Sequence, residues 1–500
     1  AVSCYGDGDV AARWDDARAW RREVTCAQGM ASAAAGVRVA AGAAGTLRLS
    51  GKLRAATPSA PRLDWPDALA GLCTLDAPDE RYVQLFEAAR RTLVLLAPQD
   101  VYPGPYTYRR FWFRDAVFML DAMLAIGLHA RAARVIERFH LRQTAQGYFH
   151  SQNGEWDANG AVLWLLERQR ALSAGRAPAP DTNMLRRAAR WIGAKLEPHT
   201  PVSPHAGLMP AGFSAEHLGP NDYYYWDDFW SLAGLRAAAA LLADGDARAA
   251  AASAARADTL EQSIAHSLEL CAERLGRAAM PASPYRRLDS AAVGCLVAGH
   301  PLQLMAARDA RLLDTAEYLL EHCLVDGALF HDVVHAGLNP YLTLHLAQVL
   351  MRAGDARHGE LVAAVAALAS PTGHWPEAVH PATGGGCMGD GQHGWAAAEW
   401  LLCMRDSFVR EEGAGLVLGA GIPPTWLELG ATARLGPVHT RHGVVTVTVS
   451  GAGDGPSLAL EARWQGTPPP LEVALPGHVP VRLSPDAPRV RLTRSSACAS

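Results

Sequence analysis

Five hundred residues exceed what one small core uses and point to a large domain with smaller companions. With 46 Lys and Arg against 50 Asp and Glu, the net charge of −4 gives no electrostatic basis for holding nucleic acid or an anionic membrane surface. At 49% hydrophobic and 19% charged the composition is that of a globular protein, and no run of about 18 apolar residues escapes polar breaks, as a membrane span requires.

Residues 1–65 mix Gly and Ala with alternating stretches (Val37 and Val39, Leu47 and Leu49), which predict a β-rich N-terminal segment ending in the linker-like TPSAPRLDWPD. The chain opens AVSCYGDGD, with no Met and no basic-then-apolar leader, as a processed form or a piece of a longer protein would. From 66 to 412 the period becomes helical. Twelve helices are predicted, over 79–97, 115–127, 129–144, 157–173, 183–195, 228–243, 246–275, 286–297, 309–323, 338–353, 356–369 and 392–410. In the second, Val117, Leu120, Met123, Leu124 and Gly127 share a face.

The connections are unequal. Those around 144–156, 196–227, 276–285, 325–337 and 370–391 are long and rich in Trp, Tyr, Asp and Glu, whereas 126–131 and 353–358 are short. Long loops after every second helix are what six helical hairpins in a ring produce, so the fold expected is mainly α: an (α/α)6 barrel with one functional rim. Beyond 413, RHGVVTVTVSG, SLALEARW and PLEVAL alternate between Gly and Pro breaks and predict a small antiparallel, β-sandwich-like C-terminal domain over 413–500.

The nine cysteines are scattered and odd in number, which fits unpaired thiols and a reducing, cytoplasmic setting. Among the histidines, His331 and His335 in HDVVH have the spacing of one helix face, but HExxH would require a Glu that is missing, and no third ligand is evident. The pattern calls for no metal and no cofactor. His374, His380 and His393 cluster near Glu377 as candidate pocket walls.

Four segments concentrate chemistry. GPNDYYYWDDFW (219–230) sets Tyr225 and Trp226 against Asp227 and Asp228, the mixture a sugar site uses: flat faces for pyranose rings, carboxylates for hydroxyls and protons. Its plainer reading is a core of aromatics with Asp228 capping a helix. The segment 370–400 places Trp375 and Glu377 ahead of a glycine-rich stretch, then His393 and Trp395 at the last helix. GGGCMGDG there could be taken for a phosphate cradle, but no P-loop Lys-Ser/Thr follows. YTYRRFWFRD supplies Trp112, Arg114 and Asp115, a forked donor beside an acceptor or else a structural ion pair. NGEWD sets Trp156 and Asp157 at a helix start, as site residues or as a cap.

Taken in order, FWFRD at the second helix, YWDDFW between the fifth and sixth, and HWPEAVHPATGG…HGWAAAEW between the eleventh and twelfth resemble the glucoamylase-like, six-hairpin glycosidase group over about 330 residues. The resemblance names no single family. It implies an inverting glycoside hydrolase acting on an oligosaccharide or polysaccharide, α-glucosides favoured. Arg114 and Asp115 would grip the sugar, Trp226-Asp227 would carry the general acid, and Glu377 would be the general base. Many glucoamylases have Glu at the acid position where this chain has two successive Asp, so Asp228 is the alternative acid. The rival activities are an inverting phosphorylase or transglycosylase on the same fold, and a catalytically inactive glycan-binding module. Oligomeric state is not fixed by the sequence.

Overall fold

The computed structural model describes residues 2–4, 31–33, 38–46, 48, 64–199, 203–213 and 219–494. Two units separate, Ala1–Asp64 and Trp65–Ser500. In the first, Val2–Cys4 pairs antiparallel with Ala31–Ala33. Of the expected strands there, Val37, Leu47 and Leu49 lie outside the described residues, and Val39 is in no strand.

The second unit begins with a single turn, α1 (Trp65–Ala68), inside the stretch read as a linker. It continues through α2 (Glu80–Leu95), α3 (Phe113–Ile126), α4 (His129–Ile136), α5 (Ala158–Leu172), α6 (Thr182–Lys195), α7 (Tyr225–Leu242) and α8 (Ala247–Leu275). A 3-10 helix (Ser290–Ala298) follows, then α9 (Ala310–His322), α10 (Pro340–Ala353), α11 (His358–Leu368) and α12 (Gly394–Phe408). From α2 onward the elements match the twelve expected helices with ends shifted by a few residues, except that the third stops at Ile136 ahead of a 3-10 turn (Phe139–Arg142) and the eighth is a 3-10 helix.

Six of these elements form an inner ring: α3 meets α5, then α7, the 3-10 helix, α10 and α12, which returns to α3. The others lie outside, α2 against α12, α4 against α3, α6 against α5, α8 against α7, α9 against the 3-10 helix and α11 against α10. Burial separates the two layers. Every residue of α10 and α12 is buried, whereas α8 buries one stripe, Ser253, Ala257, Leu260, Ile264, Ser267, Leu268 and Cys271. The one-faced pattern read in the second helix is therefore replaced: α3 is buried on all sides except at Asp115, because an inner helix has neighbours all round. Glycines let the ring tighten. A Cβ on Gly160 would stand 2.1 Å from the Trp230 carbonyl oxygen, and one on Gly234 2.4 Å from the Gly160 Cα, so α5 and α7 pack backbone to backbone.

The loops that enter the inner elements all lie on one rim. Two of those read as plain loops carry strands: Leu324–Val325, Ala328–His331, Gly337–Leu338, Ala378–Val379 and Gly386–Met388 form one small antiparallel sheet. At the opposite rim, Thr432–Thr440, Gly443–Ser450, Ser457–Trp464 and Arg489–Arg491 build the expected antiparallel sheet. Its edge is completed by Thr74–Asp76, from ahead of the barrel. A second sheet departs from the expectation, since Gly415–Leu418 pairs parallel with Leu471–Val473. No helix among the described residues is long and apolar enough to cross a membrane. Cys73, Cys271, Cys295, Cys323, Cys387 and Cys403 are unpaired.

Candidate active site

On the loop-bearing rim, the approaches to α3, α5, α10 and α12 enclose a cavity of about 100 Å³ lined by Tyr108, Trp112, Arg114, Asp115, Gln152, Glu155, His335, Tyr341, Glu377, His393 and Trp395, together with Pro103. A larger cavity, about 750 Å³, lies between α10, α11 and C-terminal strands. Size does not make it the reactive site: Glu412 there is bound by Arg352, and Asp79 caps α2.

Glu377 stands at the start of the rim strand Ala378–Val379, whose pairing with Gly337–Leu338 brings His335 alongside. His335 Nδ1 lies 2.8 Å from Glu377 Oε1, and the Tyr108 hydroxyl donates to Oε2. Burial alone would raise the Glu377 carboxyl, but the His335 hydrogen bond, the nearby His393 and the Tyr108 bond outweigh it and hold its pKa at about 2. Tyr108 is fixed in turn by Asp390, which accepts the backbone N–H groups of Tyr106, Thr107 and Tyr108 at 3.1, 2.8 and 3.0 Å. The glycine-rich stretch is thus not a phosphate cradle. Gly389, at φ +71°, passes so close that a Cβ would stand 2.8 Å from the Tyr108 ring and 3.2 Å from Glu377 Cβ.

Carboxyl groups crowd the remaining wall around one guanidinium. Arg114 Nε donates to Asp157 at 2.8 Å and Nη1 to Glu155 at 3.2 Å, while Asp157 also receives the Trp226 indole N–H at 2.8 Å. Asp115 is pushed up to about 8 by burial, against the pull of Arg114 and with the charges of Glu377 and Glu155 adding to the rise. Glu155 is raised by burial, opposed by Arg114 and reinforced by Asp157. The floor is Trp395, stacked on Phe118 with centroids 4.4 Å apart and donating its indole N–H to Glu399 at 3.2 Å.

No family model matches the sequence, and no curated protein matches it significantly. Solved structures do. The GH78 family rhamnosidase of Bacillus sp. GL1 aligns with a TM-score of 0.57 at 17% identity, over 81% of this chain and 43% of that one. A glycosidase, in variant form, aligns with a TM-score of 0.50 at 17% identity, over 66% of this chain and 98% of that one. A bacterial glucoamylase complexed with acarbose aligns with a TM-score of 0.48 at 14% identity, over 68% and 57%. The chain has the fold of a six-hairpin barrel, as the rhamnosidase alignment shows.

Within the six-hairpin barrel, the residues singled out in sequence separate into two groups. Trp112, Arg114, Asp115, Glu377, His393 and Trp395 line the cavity together. Asp227 sits in the first turn of α7, wholly buried, with neither carboxyl oxygen hydrogen-bonded, and is not a lining residue. Burial and the charges of Asp157, Asp228 and Glu155 push its pKa well up, with only Arg114 opposing. Asp228 is not a cap, because α7 begins at Tyr225; its Oδ1 instead accepts the Met209 N–H at 2.7 Å and ties a rim loop to the helix. Tyr225 turns to Ser267 (2.6 Å), Trp375 donates to the Val365 carbonyl and Trp156 to the Ala211 carbonyl, all away from the cavity. Asp157 precedes α5 without capping it, since its oxygen serves Arg114 and Trp226.

His331 and His335 do not share a helix. His331 ends a strand and His335 occupies a left-handed turn at φ 54°, which aims it at Glu377. His374 and His380 are not lining residues. Among the described residues no cluster of His, Cys, Asp or Glu is placed to hold a metal ion. The sequence reading passed over Tyr108, Gln152, Glu155 and Tyr341. The aromatic run YTYRRFWF marked the first; Glu155 was overshadowed by its neighbours Trp156 and Asp157.

The clamp on Glu377 has a consequence for pH dependence. A group whose folded pKa is depressed keeps its charge until pH falls through that value. The acidic limb of kcat/KM is therefore expected well below the 4.5 of an ordinary glutamate. An alkaline limb is expected where one of the raised carboxyls, Asp115 or Glu155, loses its proton. A pH–rate profile measures both; an acidic limb above 5 contradicts the clamp.

Proposed function

We propose that this protein hydrolyses a glycosidic bond with inversion, Glu377 deprotonating the water that attacks the anomeric carbon. The observation that carries the reading is the ionised Glu377, held by Tyr108 and His335 in a cavity it shares with Trp112, Trp395 and two protonatable carboxyls. Aromatic faces suit pyranose rings, and Arg114 beside Asp115 suits neighbouring hydroxyls. Inverting pairs stand roughly 6.5–9.5 Å apart to admit a water.

The charge balance argues against the phosphorylase alternative. Ionised Glu377 repels phosphate dianion and already supplies the base that a phosphorylase does without. A passive glycan-binding module, for its part, gives no reason to hold a buried carboxylate ionised. Oligosaccharides are the substrate class, with α-linked glucosides first, as the sequence resemblance implies, and rhamnosides beside them, as one neighbour's name suggests. The test is hydrolysis of a panel of α- and β-linked oligosaccharides, with product anomer followed by NMR, with and without phosphate. Inverted free sugar at a phosphate-independent rate is expected. A sugar phosphate or a retained anomer overturns the reading.

A further inference from the structure

We infer that this protein binds a small monovalent anion of the chloride class in a cavity at the end of the barrel away from Glu377. Where α3, α5, the 3-10 helix and α12 end, a cavity of about 80 Å³ lies against the strand Val409–Glu412. A single water needs about 10–15 Å³, so this space holds an ion with waters beside it. Arg405 in its wall and Trp395 at the floor of the candidate active site stand on the same helix, separated by about 15 Å of rise.

Four guanidinium groups line the cavity, those of Arg168, Arg405, Arg410 and Arg441. Three carboxyl groups face them, on Asp121, Asp406 and Glu411. Two of the three are committed. Arg168 donates to Asp121 at 2.9 Å and to Glu411 at 2.6 Å, and Glu411 also accepts the Arg441 backbone N–H at 2.6 Å. Asp406 lies 2.7 Å from Arg405 Nε but forms no hydrogen bond with it. Arg410 Nε stands 3.4 Å from Glu412, which Arg352 already holds with two bonds, at 3.0 and 2.7 Å. Glu399, 3.6 Å behind His300, is taken by His345, Gln348 and Trp395 and is not a lining residue.

The wall thus carries one positive charge more than its carboxylates match. It also carries unused donors: Arg405 and Arg410 are more than nine-tenths buried, and the Nη1 of each has no hydrogen-bond acceptor among the described residues. Burial lowers the Arg410 pKa, with Glu412 and Asp406 opposing and Arg352 adding to the fall. Water can satisfy the N–H groups but leaves the surplus charge; a monovalent anion meets both needs. A dianion would overshoot that single charge and meet three carboxylates, so the wall suits a halide rather than phosphate. Arg441 is exposed as well as lining, and gives the ion its way in from solvent.

Thermal melts of the full chain at constant ionic strength test the site, with sodium chloride replaced stepwise by sodium isethionate, a bulkier anion. Chloride should raise the melting temperature along a saturating curve, the folded-to-unfolded ratio growing about 100-fold at a hundred times Kd. Bromide should do the same and phosphate should not. Arg410→Gln should abolish the chloride response. Asp406→Asn, which adds a second surplus charge, should move its midpoint to lower chloride. If Arg410→Gln folds poorly, a bromide soak of wild-type crystals decides, with anomalous density expected in the cavity beside Arg410. A response that is absent, that follows ionic strength without saturating, or that persists in Arg410→Gln overturns the proposal, as does a cavity without bromide. None of these readouts needs glycoside turnover, so a wild type inert on every glycoside sinks the hydrolase reading alone.

Discussion

Glu377→Gln lowers kcat about 10²- to 10⁴-fold and leaves KM within a few-fold, while the melting temperature falls modestly because the charge held by His335 and Tyr108 is gone. The amide has the shape of the carboxylate and can still accept from Tyr108, so the rim sheet and the loop around Asp390 keep their places. What is lost is the capacity to take a proton from water, which matters only as the transition state forms. For that reason the loss falls on kcat. Steady-state kinetics with a calorimetric melt checks the split; a large rise in KM at unchanged kcat would instead make Glu377 a binding group.

Arg114→Met costs about 3–5 kcal/mol of stability, the largest effect expected of any substitution at the cavity. The reason is local. Arg114 is buried and bonds Glu155 and Asp157 directly, while its charge also reaches Asp115 and Asp227. Methionine fills much of the volume but leaves four carboxyls without their cation, and those still ionised are stranded in a buried wall. Urea denaturation measures the loss. Adding Asp157→Asn to Arg114→Met should recover part of it, because the partner charge is then gone as well. Simple additivity of the two variants contradicts this account.

The ring was legible in sequence because long connections recur after every second helix, and because helical spacing survives even where a helix is buried on every side. The sites of contact were less so. FWFRD and HWPEAV reported Arg114, Asp115 and Glu377 through type and order alone, and the structure gathers these three in one cavity. Trp375, Tyr225 and Trp156 belong to the same aromatic-rich stretches yet point into neighbouring helices and loops, since composition does not encode which side of the backbone a ring leaves. His335 was invisible as a partner of Glu377 for a different reason. It depends on pairing between Gly337–Leu338 and Ala378–Val379, two strands of two residues each, too short for alternation to register. Tyr108 needs a carboxylate nearly three hundred residues away to hold it, a relation no local pattern carries.

The strand Thr74–Asp76 also governs when the protein can finish folding. Its neighbour, Thr432–Thr440, is made last but for the closing strands, and the Thr74 hydroxyl bonds the Gly436 carbonyl across 362 residues. Cys73, beside it, ties to the end of α3 through the Ile126 carbonyl. During synthesis, then, the first inner helix emerges with Leu75 and the end of α3 uncovered, and neither is closed off until the ribosome has passed residue 440. Helical hairpins can form as they emerge, but closure of the ring waits for α12 and the final sheet behind it. A nascent or prematurely terminated chain lacking those last strands exposes apolar surface that chaperones and proteases recognise.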